Sequence, residues 1–166
     1  MANVLGAIER LVALAGRAAA WLLLPLLAVM CAVVLLRYFF NTGSVALQEL
    51  VVYLHASVFM LALAWTLQTD QHVRVDVFYR EFTPRRKAMV DLLGTVLFLL
   101  PVSGLVLVHG SEYALASWQA LEGSRESGGL PFLYLLKTVI PLSALLLLLQ
   151  GLCIALRSIF LLRGER

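Results

Sequence analysis

The chain has 166 residues, of which 61% are hydrophobic and 14% are charged, and its net charge is +3. Soluble domains average roughly 45 to 50% apolar and about 25% charged residues, so this composition excludes an ordinary soluble enzyme domain. It also excludes a disordered chain, which would combine low hydrophobicity with high net charge. The basic residues form no stripe interleaved with aromatics, so no nucleic-acid partner is expected. We therefore predict an integral membrane protein.

The first segment, residues 3–17, is predicted to form an amphipathic helix that lies in the membrane interface. Apolar side chains recur at positions 4, 5, 8, 11, 12 and 15, and the charged residues Glu9, Arg10 and Arg17 occupy other positions. This spacing is typical of an interfacial helix. A cleaved signal peptide is the alternative, but the apolar run that follows reaches Arg37 without a small-residue cleavage site.

Four uncharged stretches of 19 or 20 residues follow, each bounded by charged residues. A helix needs about 20 apolar residues to cross about 30 Å of hydrocarbon, so each stretch is long enough to span a bilayer once. The stretches are continuously apolar rather than alternating, which favours helices over a β-barrel. The sequence thus predicts one all-α membrane domain over residues 1–166, with transmembrane helices at about 18–36, 50–69, 90–112 and 138–156.

The Lys and Arg residues predict the orientation of these four helices. With four crossings, both tails and the middle loop share one side of the membrane and carry ten of the 13 basic residues. Because positive residues concentrate in cytoplasmic loops, that side is predicted to be cytoplasmic. Both termini are then inside, and the loops near 37–49 and 112–137 are outside.

Local signals refine the helix boundaries. Thr83 followed by Pro84 is typical of an N-cap and first-turn proline, so the third helix is predicted to begin there and to continue to about Gln119. Glycine-rich residues 127–131 predict the turn into the fourth helix. Prolines inside the spans predict kinks at three positions: Pro25, Pro101 and Pro141.

The spans offer little chemistry. Their only ionisable side chains well inside the runs are His55 and His109, which we interpret as satisfied or interfacial histidines rather than proton-relay groups or haem ligands. Cys31 and Cys153 lie in apolar runs and are predicted to pack as small apolar residues. The chain has no phosphate-binding loop, nucleophile elbow or zincin motif. We therefore expect no enzyme activity, no cofactor and no metal.

A polar group opens the second transmembrane helix. Glu49 lies in the predicted first turn, where the helix dipole favours an anion. Arg37 ends the preceding helix on the same side of the membrane and is its predicted ion-pair partner. A contact of Glu49 with a partner subunit or a lipid headgroup is the alternative.

The densest polar segment places Asp70, His72, Arg74 and Asp76 at alternate positions, interleaved with valines. Alternation predicts an extended segment or short strand with one polar face. A metal site is the weaker alternative, because one histidine and two aspartates interrupted by an arginine give too few convergent ligands. We interpret the segment as an ion-paired connection on the cytoplasmic surface, beside a basic cluster that attracts anionic lipid: Arg85, Arg86 and Lys87.

Several runs, taken in order, resemble one family of membrane proteins. They are residues 37–40, Arg-Tyr-Phe-Phe; Gln48, Glu49 and Leu50 at the start of a helix; His72 to Asp76; and the last span with Ile140-Pro141-Leu142 and residues 149–152. Over roughly residues 18–160 the chain resembles the small, DctQ-like membrane subunit of tripartite ATP-independent periplasmic (TRAP) transporters. Gln48 stands where that family usually has a first acidic residue, so Glu49, His72 and Asp76 are the positions carried over.

The resemblance implies a role that the residues alone do not name. Such a subunit pairs with a large permease subunit that holds the substrate and ion sites, while a periplasmic binding protein delivers a small organic acid. The small subunit, in the bacterial inner membrane, then acts as a scaffold and holds no substrate or ion site of its own. On this interpretation the outer loop forms part of the docking surface for the binding protein, through Glu122, Arg125 and Glu126.

Two other functions remain open from the sequence. A self-sufficient small four-helix transporter is one, although a proton-coupled exporter normally carries a carboxylate inside the membrane. A membrane anchor for a haem or quinone oxidoreductase is the other. A visible spectrum of the purified chain tests for haem, and a neighbouring gene for a many-span protein favours the scaffold role.

Overall fold

The computed structural model describes residues 2–72 and 79–164, and every regular element in these ranges is helical. The elements are α1 (Ala2–Trp21), α2 (Leu23–Phe39), α3 (Val45–Gln68), α4 (Pro84–Gly94), a π-helical turn (Thr95–Leu99), α5 (Leu100–Gln119) and α6 (Leu133–Arg163). The segment predicted to be extended, residues 70–77, falls mostly on residues 73–78, outside the described ranges.

Within the described residues, four helical bodies are long and apolar enough to cross a membrane. They comprise residues Asn3–Phe39, Val45–Gln68, Pro84–Gln119 and Leu133–Arg163, and one of them covers each of the four spans predicted from the uncharged stretches. Large apolar side chains are widely exposed on them, with Leu24 at 60% and Leu97 at 61%. Contiguous apolar surface of this extent is typical of a protein that faces lipid or another subunit.

The N-terminal helices follow one another almost without interruption. Leu22 alone separates α1 from α2, and its backbone stays in the right-handed helical region. Val12 of α1 is fully buried against Ala64 and Leu146, and Gly16 meets Trp65 so closely that a Cβ at position 16 would overlap that side chain. Helix α1 is thus packed on α3 and α6; the interfacial position of residues 3–17 stays a prediction.

The third helical body begins where the sequence predicted and contains a π-helical turn. The Thr83 hydroxyl accepts a hydrogen bond from the Arg86 N–H at 3.4 Å, with Pro84 in the first turn. At the end of the π-helical turn the Leu100 N–H reaches back to the Thr95 carbonyl. Pro101 lacks an N–H and crowds the preceding turn, which explains why the backbone widens there. The helix then continues to Gln119, as predicted.

Helix α6 is the centre of the bundle. It contacts α1, α3, α4 and α5, and much of its buried face consists of small or polar residues: Ser143, Ala144, Gln150, Gly151, Cys153, Ala155 and Ser158. Small residues let neighbouring helices approach closely. A Cβ at Gly151 would lie 3.0 Å from the Leu99 side chain. Helices α3 and α5 each pack on α6 but not closely on one another, which leaves a groove between them.

Candidate functional site

Glu49 holds two parts of the chain that are far apart in sequence. The Ser124 hydroxyl donates to Glu49 Oε1, and the Leu130 N–H donates to Oε2 at 2.7 Å. Ser44 caps the helix by accepting from the Leu47 N–H at 3.4 Å, which places Glu49 in the first turns of α3. The carboxylate therefore fastens the 120–132 loop to α3, and charge-assisted hydrogen bonds of this kind are among the stronger ones.

A second acidic group fastens the same loop to α5 and α6. Glu122 Oε2 forms an ion pair with the Lys137 ammonium and accepts from the Ser117 hydroxyl at 2.8 Å. The Lys137 ammonium also lies 4.0 Å from the centroid of the Tyr113 ring. The hydrogen bond from Lys137, followed by that from Ser117, holds the pKa of Glu122 below its usual range. We call Glu49, Ser124, Leu130, Glu122 and Lys137 the clasp, and the end of the bundle that carries it the clasp end.

Aromatic side chains border the clasp. The Trp118 indole N–H donates to the Thr138 hydroxyl at 2.8 Å, and its ring lies 4.4 Å from that of Tyr134. Trp and Tyr rings with one apolar and one polar end suit the boundary between hydrocarbon and water. The clasp end thus has the chemistry of a membrane–water interface.

The ion pair predicted between Arg37 and Glu49 is wrong. Arg37 is exposed at the end of α2, and the described residues show no salt bridge between it and Glu49. The carboxylate faces the 120–132 loop, which supplies a hydroxyl and a backbone N–H. Those donors lie 75 and 81 residues away in sequence, so a local pattern could not reveal them.

The predicted docking residues lie on the surface beside the clasp. Arg125 and Glu126 are exposed, and the Glu126 N–H donates to the Ser124 hydroxyl at 3.0 Å. Together with Glu49 and Tyr53 they line a cavity of about 290 Å³. Glu122, the third predicted residue, instead points into the protein toward Lys137. A role of this surface in docking stays a prediction.

The polar segment after α3 is described only in part. Asp70 adopts a positive φ of 60° and is exposed, and His72 Nε2 lies 3.1 Å from the Leu63 carbonyl and 3.4 Å from Thr66 Oγ1. Arg74 and Asp76 lie outside the described residues. Within 2–72 and 79–164, no group of three His, Cys, Asp or Glu side chains is placed to hold a metal ion.

The predicted lipid-facing basic cluster divides into two parts. Arg85 and Arg86 are exposed, whereas Lys87 is half-buried and its ammonium lies 5.2 Å from the centroid of the Tyr79 ring. Cations are unfavourable in the first turn of a helix because of the helix dipole. An anionic surface outside the chain would compensate for that cost, and a lipid role of Arg85 and Arg86 stays a prediction.

Three polar contacts at the opposite end of the bundle were not predicted from the sequence. The Tyr79 hydroxyl donates to the Asp91 carboxylate, with distances of 2.9 and 2.8 Å to its oxygens. Arg157 pairs with Glu9 at 2.6 Å, and the Gln68 side-chain amide donates to the Glu9 carbonyl at 3.0 Å. The only signal in the sequence was that all these groups flank spans. We call this the Asp91 end.

The two histidines singled out from the sequence lie at exposed positions. His55 is exposed on α3, and His109 Nδ1 lies 3.3 Å from Glu112 Oε2, one turn further along α5. The side chains of His109 and Glu112 are both about 70% exposed. The pair is therefore an ordinary surface contact between residues three apart on a helix.

Comparison with known proteins identifies a family. Residues 26–161 match the family model described as "Tripartite ATP-independent periplasmic transporters, DctQ component". No curated protein and no solved structure matches the chain. The match covers the last part of the first helical body, the second and third bodies, and the fourth as far as residue 161, and it includes the clasp and Asp91.

Proposed function

Since the chain belongs to the DctQ family of TRAP transporter components, we propose that it is the small scaffold subunit of one such transporter. In this role it supports a large permease subunit and a docked periplasmic binding protein during uptake of a small organic acid driven by an ion gradient. It lies in the bacterial inner membrane with both termini in the cytoplasm.

The observation that carries this proposal is the distribution of ionisable groups. Apart from the exposed His109–Glu112 contact, those that the described structure holds in ion pairs or in loop contacts lie at the two ends of the bundle, at the clasp and around Asp91 and Glu9. Each span between them is a run of 19 or 20 uncharged residues. A path for ions or organic acids normally needs polar or charged groups at mid-membrane, so another subunit must supply it.

Helix α2 supports a role in assembly. Leu26 is its only buried residue, and α2 contacts α3 and, to a lesser extent, α1. Leu23, Leu27 and Val34 are each at least 50% exposed. An apolar helix bound to the bundle along one side presents its remaining surface to lipid or to a larger membrane protein.

The clasp supports the docking part of the proposal. Glu49 and Glu122 tie the 120–132 loop to three helices, so the exposed side chains of Arg125 and Glu126 are held by a fixed backbone. A rigid platform loses little conformational entropy when a partner binds. Arginine and glutamate side by side also offer charges of both signs to a soluble protein.

The test is affinity purification of the tagged chain from its native membrane in mild detergent, with mass spectrometry of the proteins that accompany it. We expect a many-span permease in equal amount. Recovery of the chain alone, combined with transport by the chain alone in liposomes, would contradict the proposal. An Arg125→Glu, Glu126→Arg exchange should then weaken binding of the soluble component while leaving the permease attached.

A further inference from the structure

A continuous groove runs along the bundle between α3 and α5, and α6 forms its floor. Three cavities make it up, with volumes of about 480, 500 and 610 Å³. The first two share Met60 and Ile140, and the last two share Gly94 and Leu99. The groove therefore extends from the clasp to the Asp91 end, and the middle cavity is lined mainly by apolar side chains.

The length of the groove suits an extended hydrocarbon chain. The middle cavity reaches from Gly94 to Val106 on one wall, a rise of about 18 Å at 1.5 Å per residue. Its volume of about 500 Å³ lies along that length, between mainly apolar side chains. An acyl chain can therefore lie along the groove and remain in contact with apolar side chains.

The Asp91 end of the groove contains hydrogen-bond acceptors that lack donors. Asp91 is half-buried, and among the described residues the Tyr79 hydroxyl is its one donor and no cation pairs with it. One hydroxyl supplies a single hydrogen, while a carboxylate has about four acceptor positions. Because its other acceptor positions are open, this carboxylate can bind a cationic hydrogen-bond donor in the groove.

Gln68 and Lys87 complete this end of the groove. Gln68 lines the same cavity, its amide nitrogen donates to the Glu9 carbonyl, and its side-chain oxygen is buried away from solvent. Lys87 lies close by, over the Tyr79 ring. The end of the groove thus combines a carboxylate with open acceptor positions and one cation that can attract a phosphate.

We propose that the groove binds a phospholipid with a primary-ammonium headgroup, phosphatidylethanolamine, with its ammonium at the Asp91 carboxylate and an acyl chain along the groove. An ammonium has three hydrogens to donate, and the lipid phosphate faces Lys87. The choline headgroup carries the same charge without any hydrogen to donate, and a glycerol headgroup leaves the lipid anionic beside Asp91. This inference rests on the groove alone and is independent of the transporter role.

Native mass spectrometry of the full chain tests the headgroup. The protein is given equal amounts of phosphatidylethanolamine and phosphatidylcholine with identical acyl chains, and retained lipid is counted. We expect a preference of about tenfold for phosphatidylethanolamine, the factor supplied by one charge-assisted hydrogen bond. The preference should disappear in Asp91→Asn and persist in Glu112→Gln, a matched change at an exposed carboxylate. Equal retention of both lipids by the unaltered protein overturns the proposal, as does preferred retention of phosphatidylglycerol.

A second pair of variants tests the groove. Val102 lines the middle cavity and is 60% exposed, whereas Leu105 is 61% exposed on the same helix and does not line it. Val102→Trp should fill the cavity from its edge and abolish retention of the lipid, and Leu105→Trp should not. Equal retention by the two variants, or crosslinking of a protein segment into the groove at Val102, overturns the proposal.

Discussion

The carboxylates at the two ends of the bundle differ in the number of hydrogen-bond donors that the chain supplies to them. At the clasp end, Glu49 and Glu122 each accept from two donors within the chain, one of them a lysine ammonium. At the Asp91 end, the described donors of Asp91 are limited to the Tyr79 hydroxyl. The clasp carboxylates therefore have their partners within the chain and hold the structure together, whereas the Asp91 carboxylate has acceptor positions left for a ligand. Stability should depend on the first and binding on the second.

Replacing one carboxylate by leucine at each end should give the largest difference in thermal stability. Glu49→Leu leaves the Leu130 N–H and the Ser124 hydroxyl without their acceptor, and we expect the apparent Tm to fall by several degrees. Asp91→Leu removes the acceptor of one described donor, the Tyr79 hydroxyl, so we expect a smaller fall. Thermal unfolding in one detergent, without added lipid, measures both. If Asp91→Leu destabilises the protein as much as Glu49→Leu, the contrast between the ends is wrong.

A change that keeps every charge should also open the clasp. A Cβ at Gly129 would overlap the Ser124 side chain and lie 2.8 Å from Glu49 Oε1. We expect Gly129→Ala to cost about 1 to 3 kcal/mol, as overpacking usually does, and to make the loop more sensitive to trypsin at Arg125. Gly43→Ala is the control, because nothing lies within 4 Å of its added Cβ. Equal sensitivity of the two variants would argue against a tightly packed loop.

The Thr83 hydroxyl caps the start of α4, the helix that carries Asp91. Thr83→Ala removes the acceptor for the Arg86 N–H, and loss of such a cap costs about 1 kcal/mol. The exposed Thr42, whose side chain makes no hydrogen bond in the described structure, provides the control Thr42→Ala. Hydrogen exchange should locate the effect in residues 84–90. A change confined to the clasp end would show that the two ends are coupled.

The smallest expected effect is a pH dependence confined to the clasp. Because the pKa of Glu122 lies below its usual value of 4.5, its contribution to stability is complete above that value and is lost as the pH falls through the lower, folded pKa. Measured from pH 7 to 3, the Tm of Glu122→Gln should therefore fall less steeply than that of the unaltered chain. Parallel curves would mean that the Glu122–Lys137 pair contributes nothing measurable.

Much of the backbone could be predicted from the sequence, because each element depends on local signals. The uncharged runs gave four spans, Thr83 and Pro84 gave the start of α4, and the end at Gln119 was also correct. Side-chain partners were harder to predict. Arg37 was predicted to pair with Glu49 because it ends the preceding helix on the same side of the membrane, whereas the donors come from the 120–132 loop. Long-range contacts depend on which helix faces pack together. When nearly every face of a helix is apolar, the periodicity of apolar and polar residues does not reveal the packed face.

The π-helical turn at Thr95–Leu99 has a consequence for helix phase. Residues buried against the bundle recur every seven positions on each side of it, at Ala88 and Thr95 and then at Ser103, Gly110 and Ser117, but eight positions separate Thr95 from Ser103. One inserted residue rotates the following face by about 100°, so the turn keeps one register of small residues against α6 over the whole length. An uninterrupted α-helix would bring Val102 and His109 to that surface, where glycine and serine now allow close approach. The π-helical turn therefore determines which side of α5 packs against the rest of the protein and which side faces outward.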